Sequence, residues 1–179
     1  AAWLKVYDRD LADAITETSD QKPASPVTET YWSTTPYMLG PNTAVKYLVR
    51  PSAENTLATG RRTANYLQHR LRDALLDRDQ EFILSVQVMD PGQGDSIEDP
   101  SMPWGGERIV DVAKLTIPKL DVLDPADWAA MRHAHEFLGY NIWNVTQEHR
   151  PLGAINRVRQ KVYNSLHRTR IELDEDVYG

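Results

Sequence analysis

The chain of 179 residues contains no cysteine. That absence removes disulfides, thiolate catalysis, zinc ribbons, iron–sulfur clusters and any cysteine-bound metal cofactor, and leaves His, Tyr and the carboxylates as possible metal ligands. No apolar run approaches the ~20 residues that a membrane helix needs. Ala1 opens on mixed sequence rather than on a charged segment followed by an apolar one, so neither a span nor a signal peptide is read. Positive charge is short as well: the formal net charge is −6. No segment outside the last helix is visibly basic, which argues against a nucleic-acid partner. No internal repeat appears. What is present, 41% hydrophobic and 26% charged residues, is an ordinary soluble composition with enough chain for one core.

Residues 1–30 read as a helix and linker. Trp3, Leu4, Val6, Leu11 and Ala14 sit among charges in a short helical stretch to about Ile15. Glu17 to Thr28 is polar with Pro23 and Pro26, a linker or surface loop. Residues 31–179 read as one further unit. Tyr31 to Leu39, a Gly40-Pro41-Asn42 corner, and Ala44 to Arg50 predict a strand pair. Tyr66, Leu67, Leu71, Ala74 and Leu75 recur near helical spacing within Arg61–Leu76. Phe82–Met89 and Glu107–Ile117 alternate as strands, with an irregular acidic loop between them. Asp124-Pro125 resembles a helix start, with the helix running to about Leu138, and a last helix follows Pro151-Leu152-Gly153. Strands first and helices later predict an α+β fold with an antiparallel sheet or barrel.

On the last helix Arg159, Tyr163 and His167 fall four residues apart, so their side chains project from one face. A free phenol ionises near pH ~10, and a guanidinium within hydrogen-bonding reach favours the anion, a ligand suited to ferric iron. The bare pattern is weak, because Arg62 and Tyr66 repeat it and read as a structural pair. His133 and His135, two apart on a helix, point to different sides and read as a solvated face and a core contact. The acidic loop Asp90–Asp99 lacks the ligand order of an EF-hand and reads as a solvated loop. Trp104 either lines a pocket or anchors a loop, and the five tryptophans read mostly as core.

Glu148-His149-Arg150-Pro151-Leu152-Gly153-Ala154-Ile155-Asn156-Arg157, followed by Arg159-x-x-x-Tyr163, resembles the proximal segment of haem catalases, most of all the shorter, minimal-core catalase-related proteins. Tyr31–Pro51 is similar to a catalase segment crossing two barrel strands. Ile97–Trp104 is similar to the loop that catalases end in Val-Trp, and Val110–Ile117 to the strand after it. His135–Val145 stands where catalases carry a Glu-x-x-x-Phe-Asp-Pro stretch. In order and spacing about 140 of the 179 residues can be matched.

The resemblance implies that the chain is the C-terminal half of a catalase-like core, part of an antiparallel β-barrel with flanking helices. It implies haem b, with Tyr163 as the axial iron ligand, Arg159 as its charge partner, His167 near a haem propionate, and Arg168 and Arg170 matching arginines of the same segment. A cluster of cations beside two carboxylates is physically sensible. Asn164-Ser165 replaces the usual aspartate-threonine pair, which alters hydrogen bonding near the ligand. The distal histidine and asparagine of the family would lie before Ala1, since no histidine precedes His69, so no distal catalytic residue is expected in this chain. The implied activity is that of a haem-dependent oxidoreductase acting on hydrogen peroxide or organic hydroperoxides. The alternative is a non-catalytic catalase-like half that holds haem or a hydrophobic ligand, or assembles with a partner chain. Unsatisfied strand edges favour association with the missing N-terminal half or with another copy.

Overall fold

The computed structural model describes residues 22–56, 62–100, 102–105, 108–121, 124, 126, 130–131, 134 and 138–178, with residues 173–178 as backbone. The expected helix at 3–15 and both His133 and His135 lie outside the described residues. So does most of the helix expected at 124–138, although Ala126, Ala130, Met131 and Ala134 are helical and Asp124 Oδ1 accepts the Ala126 N–H at 2.9 Å.

Alternating apolar residues form β1 (Tyr31–Trp32), β2 (Tyr37–Leu39), β3 (Thr43–Pro51), β4 (Gln80–Val88) and β5 (Ile109–Ile117). They make one antiparallel sheet in the order β1-β3-β4-β5, with β2 also pairing with β3. Among the described residues the sheet is open, ending at β5, and it does not close into a barrel. The corner between β2 and β3 turns at Gly40, whose φ of 70° a side chain would resist.

Register places Val45, Tyr47 and Val49 with Val88, Val86 and Leu84 on one face. Helix α1 (Tyr66–Asp77) covers one end of this face. Its Ala74 packs with Phe82 and Val27, and Leu71, Val49 and Ile117 close around them. Val27 and Ser25, each 1% exposed, correct the expectation that the segment up to Thr28 is a surface loop. The segment is short of apolar residues, yet one valine fills the gap between sheet and helix.

Two buried amides then knit this end together, as burial of unpaired polar atoms would be costly. Gln80 Nε2 donates to the Ala74 and Arg78 carbonyls at 2.8 and 2.9 Å, capping the end of α1. Asn55 donates to the Val27 and Glu81 carbonyls and accepts the Glu81 N–H. The acidic loop is likewise more built than a solvated loop. Asp95, 7% exposed, accepts the backbone N–H of Asp90 and of Gly105. Trp104 is the loop anchor, buried, with its indole N–H on the Ser96 carbonyl and Lys46 over its ring at 4.5 Å. Of the three described tryptophans, Trp104 alone is buried; Trp32 is half exposed.

Candidate functional site

Helix α2 (Gly153–Tyr178) starts by docking its first turn onto β2. Tyr37 and Pro151 form an isolated bridge. The Met38 N–H donates to the Arg150 carbonyl, and the Leu152 N–H to the Pro36 carbonyl, both at 2.9 Å. Gly153 is essential to this approach: its φ is 83°, and a Cβ there would stand 2.4 Å from the Ile97 carbonyl oxygen. One turn on, Asn156 is fully buried. Its amide donates to the carbonyls of Pro36 at 3.0 Å and Leu152 at 2.8 Å, while its own carbonyl accepts the Trp143 indole N–H at 2.9 Å.

That clamp sets the bearing of the helix face that follows. Arg159 Nη2 donates to the Tyr163 hydroxyl oxygen at 2.8 Å. Its other terminal nitrogen reaches Thr35 Oγ1 at 3.3 Å and Asn156 Oδ1 at 3.4 Å. The Tyr163 hydroxyl holds Arg159 above the ordinary arginine range against an opposing effect of burial, so the guanidinium is cationic throughout the working pH range. Tyr37 adds a further interaction with Arg159, and its ring packs on Tyr47 with centroids 5.4 Å apart. Burial, then the neighbouring Tyr37, pushes the Tyr47 phenol above its usual value.

Arg159, Tyr163, His167 and Arg170 are all half-buried along one face of α2, whereas Arg168 is exposed. His167 and Arg170 lie against the segment that precedes the helix. A Cβ at Gly139 would meet the His167 ring at 3.3 Å, so glycine lets the backbone rest on the imidazole. Arg170 Nη2 donates to the Leu138 carbonyl at 3.2 Å. Among the described residues, His167 Nδ1 and Arg170 Nε are buried and have no hydrogen-bond partner. Asn164, the departure noted in the sequence, accepts from Asn141 Nδ2 at 3.0 Å. On the far side of the helix, Arg157 grips Glu98 through two bonds of 3.0 and 2.8 Å.

Among the described residues no three His, Asp or Glu side chains gather as a metal cluster. Two hollows of about 480 and 420 Å³ open elsewhere, one beside Leu48, Arg50 and Asp111 and one beside Asp77, Arg78 and Glu81. Neither is lined by α2.

The sequence reading put Arg159, Tyr163 and His167 on one face and took Arg170 from the resemblance; the structure sets all four along one face and adds Asn156, Thr35 and Tyr37 as neighbours of Arg159, which that reading did not name. An asparagine in the first turn after a Pro-Leu-Gly turn was the available signal for Asn156, because that residue type bonds carbonyls and amides locally. Thr35 and Tyr37 are 124 and 122 positions from Arg159 and carry no comparable local signal. A scan against protein-family models finds no match, and a search of curated proteins finds none either.

Proposed function

We propose that this chain is part of a haem-dependent oxidoreductase acting on hydrogen peroxide or organic hydroperoxides, with Tyr163 as the axial iron ligand. The observation that carries the reading is the direction of one hydrogen bond: Arg159 donates to the Tyr163 oxygen at 2.8 Å. A cation that donates to the phenol oxygen is the partner that an anionic tyrosine ligand needs. The donor set also fits a dianionic porphyrin edge. Among the described residues His167 Nδ1 and Arg170 Nε are buried nitrogens without partners, one and two turns beyond the tyrosine, and nitrogens that carry a hydrogen favour carboxylates brought to them.

Haem, when bound, supplies the redox-active iron at which a peroxide is reduced. The chain's own residues hold and orient. Asn156 and Thr35 keep Arg159 in place, and Arg159 keeps a donor on the Tyr163 oxygen. The bonds of residues 150 and 152 to Met38 and Pro36 tie the start of α2 to β2. In this reading the groups that deprotonate and orient the peroxide come from outside this chain.

The test is a titration of haem b into the chain, read by the Soret band and by resonance Raman bands of iron-bound phenolate. The unmodified chain shows both. Tyr163→Phe loses the phenolate bands and weakens uptake by at least about ten-fold; an unchanged spectrum in that variant refutes the axial assignment.

A further inference from the structure

We infer that the open edge of β5 pairs antiparallel with β5 of a second copy of this chain, about a two-fold axis at the β5 bulge. This stands apart from the haem reading. β5 is nine residues long and, among the described residues, forms the end of the sheet. It carries Ile109, Val110, Val112 and Leu115 at 44, 40, 48 and 50% exposure. A long apolar edge with unpaired backbone groups is a template for another strand. A bulge and a lysine often guard such an edge, but here both favour a specific partner.

The ladder slips between Leu84 and Ser85, so Ser85 faces Asp111 while Leu84 faces Ala113, with Val112 as the extra residue. Opposed residues share a face. Asp111 therefore shares the face of Ser85, to which it is bonded at 2.7 Å. Lys114 lies opposite Ile83, on that same face, where it pairs with Glu81. In a regular strand, residues three apart point to opposite faces. The bulge brings Asp111 and Lys114 to one face, and by the same shift brings Val110 and Leu115 to the other.

A two-fold axis perpendicular to an antiparallel sheet keeps each face on its own side. The register that obeys this along the whole of β5 sets Asp111 opposite the second copy's Lys114, Val110 opposite its Leu115, and Ile109 opposite its Thr116. Two opposite-charge pairs form by symmetry. On the other face one apolar row runs Tyr47, Val86, Val110 in one copy, then Leu115, Phe82 and Pro51 in the second. A register shifted by one residue would set side chains of opposite faces against each other across the bulge. The strand is thus self-complementary in shape, charge and hydropathy.

Sedimentation velocity of the full chain tests this. The unmodified protein forms a reversible dimer. Asp111→Lys and Lys114→Glu each set like charges opposite one another, and each weakens self-association by about ten-fold or more. Mixed in equal amounts, the two variants restore a dimer, because every opposed pair is then of unlike charge. An unmodified chain that stays monomeric at all concentrations, single variants that still dimerise, or a mixture that stays monomeric overturns the proposal, and the first of these assigns the edge to a strand of different origin. Should Asp111→Lys fail to fold for want of its Arg50 and Ser85 partners, hydrogen exchange of the unmodified chain decides. Amides within 109–117 slow as concentration rises if the edge pairs, and exchange independent of concentration refutes it.

Discussion

Arg62 and Tyr66 at the head of α1 stand at the same spacing as Arg159 and Tyr163 on α2, and the two pairs are wired in opposite senses. The Tyr66 hydroxyl donates to the Pro23 carbonyl at 3.0 Å. Arg62 donates to the Lys22 carbonyl and Arg70 to the Ala24 carbonyl, while both guanidinium groups stack on the Tyr66 ring at 5.7 and 5.0 Å. All three side chains hold residues 22–24 against the helix. Among the described residues Tyr163 meets no such carbonyl, and its oxygen accepts from Arg159 instead. Spacing along a helix brings a guanidinium near a phenol, but what lies beyond the phenol decides whether its oxygen gives or receives a proton. A tyrosine whose hydrogen is committed to a carbonyl is a structural strut; one whose oxygen accepts from a cation has its own hydrogen left uncommitted among the described residues.

The comparison breaks most completely at Gly153. Gly153→Ala forces a Cβ onto the Ile97 carbonyl at a φ of 83°, which costs about 3 kcal/mol or more. The start of α2 must then shift off β2, and the Arg159–Tyr163 face shifts with it. Thermal denaturation should fall by several degrees, and haem uptake should fall with it. Hydrogen-exchange protection of α1 should be little changed, since its core of Val27, Ala74 and Phe82 lies at the other end of the sheet. Equal loss of protection in α1 and α2 would show that the two regions are not separable.

Tyr66→Phe sharpens the contrast from the other side. It removes one hydrogen bond to a backbone carbonyl and keeps the ring under two guanidinium groups. A loss of about 1 kcal/mol by chemical denaturation is expected, with haem uptake and spectrum unchanged. A spectral change in Tyr66→Phe would place the ligand on the wrong helix.

How much of this could be read along the chain divides by the range of the interaction. The strands expected at 44–50, 82–89 and 107–117 stand at 43–51, 80–88 and 109–117, because alternation is a local property of the pleat. The helix expected from Arg61 begins at Tyr66. The start of α2 was legible for the same reason, through Pro151, Leu152 and Gly153. Long-range burial was not. Nothing in a run of Pro, Ser and Thr announces that Val27 will meet Phe82, or that Asp95 will sit beneath Trp104 with backbone amides on its oxygens. The polarity of the two arginine–tyrosine pairs belongs to this second class, since the Pro23 carbonyl that claims Tyr66 lies 43 residues away.

The smallest effect concerns the opposite side of α2, where Arg157 holds Glu98. The Arg157 hydrogen bonds keep the Glu98 carboxyl below its usual range, so the folded state favours the ionised form more than the unfolded state does. The contribution is present above the ordinary glutamate pKa and is lost as pH falls through the lowered folded value. Both side chains are more than half exposed, and solvent and salt screen the pair. Glu98→Gln should therefore lower the melting temperature slightly at neutral pH and not at all at strongly acidic pH, where the unmodified chain has lost the same pair. Arg157 is two residues from Arg159, so the pair with Glu98 holds the backbone beside the Arg159–Tyr163 bond. A difference that persists unchanged into acid would mean that Glu98 acts through packing of the 97–99 turn on α2 rather than through its charge.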